Sequence, residues 1–267
     1  MVISIYQVDA FTDRPFRGNP AAVCLLPGPA RDAWMQAIAA EMNLSETAFL
    51  HPDGKEWRLR WFTPLVEVDL CGHATLASAF ILWQSGALAV GLPAIFHTRS
   101  GVLTARQAND WIEMDFPAVP ATPQAPPPEL IAALGVQPVA AGRATDWLVE
   151  MGSADEVRSL RPNLEALSTL GGRGTIVTAP GNDGVDFVSR FFAPAVGIAE
   201  DPVTGSAHCT LGPWWANRLG RRDLTGYQAS ARGGTVRVRL VGDRVVLGGQ
   251  AVEVFSGRLD GPAADYT

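Results

Sequence analysis

The chain is constrained above all by a passage that it writes twice. Arg60-Trp61-Phe62-Thr63-Pro64 recurs as Arg190-Phe191-Phe192-Ala193-Pro194, and Gly72-His73-Ala74 recurs as Gly205-Ser206-Ala207 after about three inserted residues. The match then reads at one fixed offset. Arg99-Ser100-Gly101 falls on Arg232-Gly233-Gly234, Trp111-Ile112-Glu113-Met114 on Arg244-Val245-Val246-Leu247, and Ala118-Val119 on Ala251-Val252. Upstream, Thr47 and Pro52 fall on Thr175 and Pro180. A long unit present twice predicts two similar lobes, because a solenoid needs at least three short units.

Composition sharpens that expectation. The 267 residues suffice for two ordinary domains, and a hydrophobic content of 47 % with a mean hydropathy of +0.10 predicts well-buried cores. A net charge of −6 gives no reason to expect nucleic acid or an anionic membrane as partner. Cys24, Cys71 and Cys209 have no metal-type spacing and cannot all pair, which fits a reduced cytoplasmic setting. Leu70 to Thr98 carries no charge, but Gly86, Gly91 and Pro93 interrupt it, so it reads as a buried helix plus a strand and not a membrane span.

Six prolines between Pro117 and Pro128 mark a stiff linker. The expected division is therefore an N-terminal lobe over 1–117, a linker over 118–128 and a C-terminal lobe over 129–267, whose last strand packs back on the first lobe. Each lobe alternates short strands with one enclosed helix, Gly72 to Trp83 and the helix after Gly205, an α+β pattern of two half-barrel sheets. In the second lobe the reading is one strand over Ala144 to Met151, a helix over Asn163 to Leu170 and a strand over Tyr227 to Ala231. Gly212-Pro213 is expected to kink the second enclosed helix, Arg218, Arg221 and Arg222 to serve its C-terminal end, and the tail Gly261 to Thr267 to fray.

Both copies run from an apolar, proline-punctuated approach through a glycine turn into a helix. A helix start carries unpaired N–H groups and partial positive charge, so it receives carboxylate or phosphate. If the lobes face each other, the starts at Gly72 and Gly205 border one cleft. His73 and Ser206, at equivalent positions, share a polar role there, although a histidine so placed also serves as a core hydrogen-bonder. Glu46 stands among apolar neighbours, where desolvation raises a carboxyl pKa toward what two-way proton transfer needs. Its counterpart in the repeat is Gly174, so the fold does not demand an acid there; the plain alternative is a strand-end glutamate facing water. Asp201 reads as an Asx turn, a second acid or an imidazole-orienting group, and Asn19 most simply as a turn residue. Cys71 invites a thiol mechanism, but the register sets Thr204 opposite it and supplies no second thiol. No nucleotide loop, metal motif or nucleophile elbow is present in the sequence.

Asp9-Ala10-Phe11-Thr12, Gly18-Asn19-Pro20-Ala21-Ala22-Val23, Asn43-Leu44-Ser45-Glu46-Thr47-Ala48-Phe49, Cys71-Gly72-His73-Ala74-Thr75 and Asp201-Pro202-Val203-Thr204-Gly205-Ser206-Ala207 together resemble the PhzF-type isomerase family of phenazine biosynthesis. The resemblance implies a diaminopimelate-epimerase-like fold of two pseudo-symmetric lobes, each a barrel-like sheet around a central helix, usually a homodimer, and no cofactor. It implies isomerisation of a small carboxylic acid like trans-2,3-dihydro-3-hydroxyanthranilate, with Glu46 shuttling the proton and His73, Asp201 and Ser206 contacting substrate. Rival expectations are a racemase or epimerase using Cys71, and a non-catalytic metabolite-binding or interaction protein.

Overall fold

The computed structural model describes residues 2–260, so the tail from Gly261 lies outside the described residues. Two compact units emerge, one from residues 1–115 and 248–267, the other from 116–247.

The first unit opens with β1 (Val2–Ala10) and β2 (Asn19–Leu25), an antiparallel pair. α1 (Asp32–Met42) carries the chain over to β3 (Glu46–Asp53), which runs parallel to β2 and turns back into β4 (Glu56–Phe62). The two-residue β5 (Glu67–Val68) leads to α2 (Gly72–Gln84), and the chain returns as β6 (Ala94–Thr98), parallel to β4. β7 (Gly101–Ala108) and β8 (Trp111–Pro117) complete a meander. One sheet face is covered by α1, where Met35 and Ala39 pack with Ile3, Ile5, Phe49 and Phe62. The other face belongs to α2, buried on nearly every side as its uniformly apolar or small residues require. Strand β2 is therefore apolar on both faces.

The second unit repeats this plan. β9 (Thr122–Pro123), α3 (Pro128–Leu134), β10 (Ala140–Arg143) and β11 (Trp147–Glu150) precede α4 (Ala154–Ser159) and α5 (Leu164–Ser168). β12 (Thr175–Pro180) then lies parallel to β11 and antiparallel to β13 (Phe187–Ala193). β14 (Ile198–Asp201), α6 (Gly205–Leu219), β15 (Asp223–Gln228), β16 (Gly234–Val241) and β17 (Arg244–Gly249) follow, with β15 parallel to β13. β18 (Ala251–Asp260) returns to the first unit and pairs antiparallel with β1.

Several expectations need correcting. The strand expected over Ala144 to Met151 is the shorter β11, and its antiparallel partner β10 went unread; between them a turn is closed at Ala144, whose N–H bonds the Asp146 carbonyl at 3.0 Å. α4 escaped the sequence reading although Ser153 caps it: the Glu156 N–H bonds Ser153 Oγ, and Glu156 Oε2 in turn accepts the N–H of Gly152, the residue before the cap. The fixed offset also fails. Trp57 pairs with Phe96 and Phe187 with Gly226, an offset of 130 on both strands, so β15 lies earlier than Tyr227 to Ala231. Three extra residues in the β15–β16 turn, where Gln228 faces Gly234 as Thr98 faces Gly101, restore the later register. Arg218 stands in the last turn of α6 as expected, and there it also pairs with Glu150 and lies 3.9 Å over the Trp214 ring, while Arg221 pairs with Asp186.

Pro213 lies inside α6, and the helix is continuous through it. A proline removes the N–H that the Cys209 carbonyl would accept. The Val119 N–H takes that place at 3.0 Å, so the proline-rich segment supplies the missing donor.

Candidate active site

Glu46 is the first residue of β3, beside Ala21 of β2, and its side chain is 14 % exposed. α2 begins nearby with Cys71 as N-cap in extended conformation and no side-chain cap. His73 Nε2 lies 3.2 Å from Glu46 Oε2, and Cys71 Sγ lies 3.5 Å from His73 Nδ1 and 4.0 Å from Nε2. Burial pushes His73 down to about 4 against an opposing hydrogen bond to the Pro20 carbonyl, so the ring is neutral at physiological pH. Glu46, Cys71 and His73 bring one ligating atom each within 4.8 Å of one another.

Gly18 aims Asn19 into this unit. Its φ of +63° is left-handed, and a Cβ there would meet the Ala10 carbonyl oxygen at 2.1 Å, so glycine alone fits. Asn19 follows fully buried at the start of β2, its Oδ1 accepting a long 3.5 Å bond from Ser45 Oγ, next to Glu46. Asp9 is also buried and accepts the Phe16 N–H at 2.6 Å, fixing the turn between β1 and β2.

The second unit builds its helix start differently. Thr204, the N-cap of α6, gives its hydroxyl to Asp201 Oδ2 and its N–H to Gln228 Oε1 at 2.9 Å. Gln228 Nε2 donates to the Asp201 carbonyl at 2.8 Å, so Asp201 is tied into the turn by side chain and backbone. Ser206 Oγ accepts from Arg173 at 2.9 Å, and the same guanidinium holds Asp146. His208, fully buried, bonds the Thr204 carbonyl through Nδ1 at 2.8 Å and is likewise pushed down to about 4 by burial.

In the first unit, Glu46 and His73 thus meet, Gly72 opens their helix, and Asn19 reaches the residue before Glu46. In the second, Asp201, Gly205 and Ser206 gather at the α6 start. The sequence reading missed Arg173 and Gln228. Arg173 had a signal, since it directly precedes Gly174, the counterpart of Glu46; Gln228 was hidden by the assumed fixed offset. Among the described residues no helix is long and apolar enough to cross a membrane.

Residues 8–257 match the family profile described as phenazine biosynthesis-like protein, PhzC-PhzF. A protein of Halalkalibacterium halodurans named an uncharacterized isomerase is 52 % identical over 97 % of this chain and 99 % of its own. The crystal structure of a PhzF-family phenazine biosynthesis protein of Enterococcus faecalis superposes with a TM-score of 0.95 at 42 % identity, covering 97 % of this chain and 100 % of that one. A predicted epimerase of Pseudomonas aeruginosa, 24 % identical over 97 % of this chain and 99 % of its own, shares the fold with a TM-score of 0.71.

Proposed function

Because the chain belongs to the phenazine biosynthesis-like PhzC-PhzF family, whose α+β fold it shares, and is an isomerase-type enzyme, we propose that it moves a proton between carbons of a small carboxylic acid, with Glu46 as the group that takes and returns it. One observation carries this reading: Glu46, largely shielded from water, faces a neutral His73 at 3.2 Å. A shielded carboxylate is a stronger base than a hydrated one, and a neutral imidazole beside it does not lock it in the charged form.

In the first unit the substrate carboxylate falls to the backbone N–H groups at Gly72 and His73, at a helix start without a side-chain cap; in the second unit the α6 start at Gly205 and Ser206, also uncapped, offers the same chemistry to an anion. Arg173 beside Ser206 adds positive charge at the second start. Binding of the carboxylate acidifies the nearby C–H, Glu46 removes that proton, and the same carboxyl delivers it to another carbon that shares the charge of the delocalised anion, with the double bond shifting to match. In the first unit His73 and Asn19 hold the amino or hydroxyl substituent; at the α6 start Asp201 offers a carboxylate to such a group. A dihydro-hydroxyanthranilate-like acid fits this chemistry, no cofactor is required, and a homodimer is the proposed assembly.

Glu46→Gln keeps shape and removes the base. Turnover of the dihydro-hydroxyanthranilate should fall by roughly 10²- to 10⁴-fold with the fold intact by circular dichroism. Full turnover in this variant ends the proposal. A second reading has Cys71 as an epimerase base, favoured by its sulfur lying 3.5 Å from an imidazole nitrogen. Solvent deuterium entering a stereocentre, and lost with Cys71→Ser, would select it.

A further inference from the structure

Glu46, Cys71 and His73 offer a carboxylate, a thiol and an imidazole from two adjoining elements, β3 and the start of α2. That mixed set is the ligand chemistry of a zinc site with three protein donors and one open position. Donor atoms around a tetrahedral zinc stand roughly 3.3–3.6 Å apart, given Zn–N and Zn–O of about 2.0 Å and Zn–S of about 2.3 Å. Here the His73 Nε2 to Glu46 Oε2 separation is 3.2 Å and the Cys71 Sγ to His73 Nε2 separation is 4.0 Å, so side-chain shifts well under a residue's reach close the triangle. The imidazole is also anchored by a hydrogen bond to the Pro20 carbonyl, the kind of outer contact that orients metal-bound histidines. Among the described residues no other trio of such donors converges as closely.

We propose that Glu46, Cys71 and His73 form an inhibitory binding site for a thiophilic divalent cation of the zinc type. On binding, the sulfur–metal bond forms as the Cys71 S–H breaks, its proton passes to solvent, and no oxidant or reductant is involved. The cation occupies the Glu46 oxygen that the proposed acid–base step uses. Metal uptake stands whether or not that step is correct; only the accompanying loss of turnover depends on it.

The test titrates the full-length, reduced protein with Co²⁺ and follows absorption without substrate. One equivalent should produce a near-ultraviolet sulfur-to-cobalt charge-transfer band and intense visible bands of a four-coordinate ion, displaced by one equivalent of Zn²⁺. Cys71→Ser should abolish the ultraviolet band, and Glu46→Gln and His73→Asn should each weaken uptake on the order of tenfold or more, with native circular dichroism. A Cys209→Ser control should change nothing. Absence of the charge-transfer band in the parent protein, or its survival in Cys71→Ser, overturns the proposal. If the band forms as expected but turnover persists in the metal-loaded protein, the site stands as a binding site, its inhibitory role is overturned, and the assignment of Glu46 as the proton carrier falls with it.

Discussion

Glu46 and Gly174 hold one register position in the two units: each precedes a threonine, Thr47 paired with Phe62 and Thr175 paired with Phe192. Sequence repetition built the position twice, and only one copy carries an acid. At Gly174 a Cβ would lie 2.6 Å from Phe191 Cζ and 2.7 Å from the Phe192 carbonyl oxygen. Backbone cannot retreat as a flexible side chain can. Gly174→Ala should therefore lower stability by about 1–3 kcal/mol, read as a drop in urea midpoint at unchanged slope.

Burial holds both His73 and His208 near 4, against about 6.5 in the unfolded chain. Between those values the unfolded state binds more protons, so stability rises with pH: it is fully present above about 6.5 and is lost as pH falls toward about 4. The melting temperature should decline over that window. His208 is the cleaner reporter, because its ring faces Phe187 and the Thr204 carbonyl and not a carboxylate. His208→Asn should flatten part of the slope; an identical pH profile would show that this histidine is not what couples folding to protons.

The repeated arginines bind alike but sit differently. Arg190 grips Glu200 with two bonds and also donates to the Val157 and Leu160 carbonyls, with a side chain 9 % exposed. Arg60 grips Glu67 in the same way at 23 % exposure, and Glu67 keeps Arg99 as a second partner. Arg190→Met strands two buried carbonyls as well as Glu200 and should cost about 3 kcal/mol, whereas Arg60→Met, which leaves Glu67 its bond to Arg99, should cost about 1 kcal/mol. Equal losses in chemical denaturation would contradict the difference.

Replacing an interior helical proline commonly recovers about 3 kcal/mol, because the missing hydrogen bond is restored. Here the Cys209 carbonyl already has the Val119 N–H. Pro213→Ala should change stability by less than about 1 kcal/mol, and a gain near the usual value would show that the Val119 bond contributes nothing.

Much of this was legible beforehand because it is carried by local patterns. The enclosed helix was visible in a run without charge, and Glu46 in an acid flanked by apolar neighbours whose repeat partner is a glycine. What escaped depends on distant partners. Arg173 looks like one more surface arginine until the fold brings Asp146 and Ser206 to it. β10 was missed because its four residues, Ala140-Ala141-Gly142-Arg143, include no β-branched or aromatic side chain, and the turn Ala144-Thr145-Asp146 was read into the strand that follows it. The slip of β15 came from assuming that the offset changes once: it rises by three before α6, falls back to 130 at β15 and rises by three again in the β15–β16 turn.

The antiparallel seam between β1 and β18 joins the opening strand to the final one. On a ribosome, all of residues 116–247 emerge before the last strand does, so the second unit can become native while β1 still lacks one neighbour. The first unit to be translated is thus the last to be finished, and its exposed strand edge is what a nascent chain would need to have shielded in the interval.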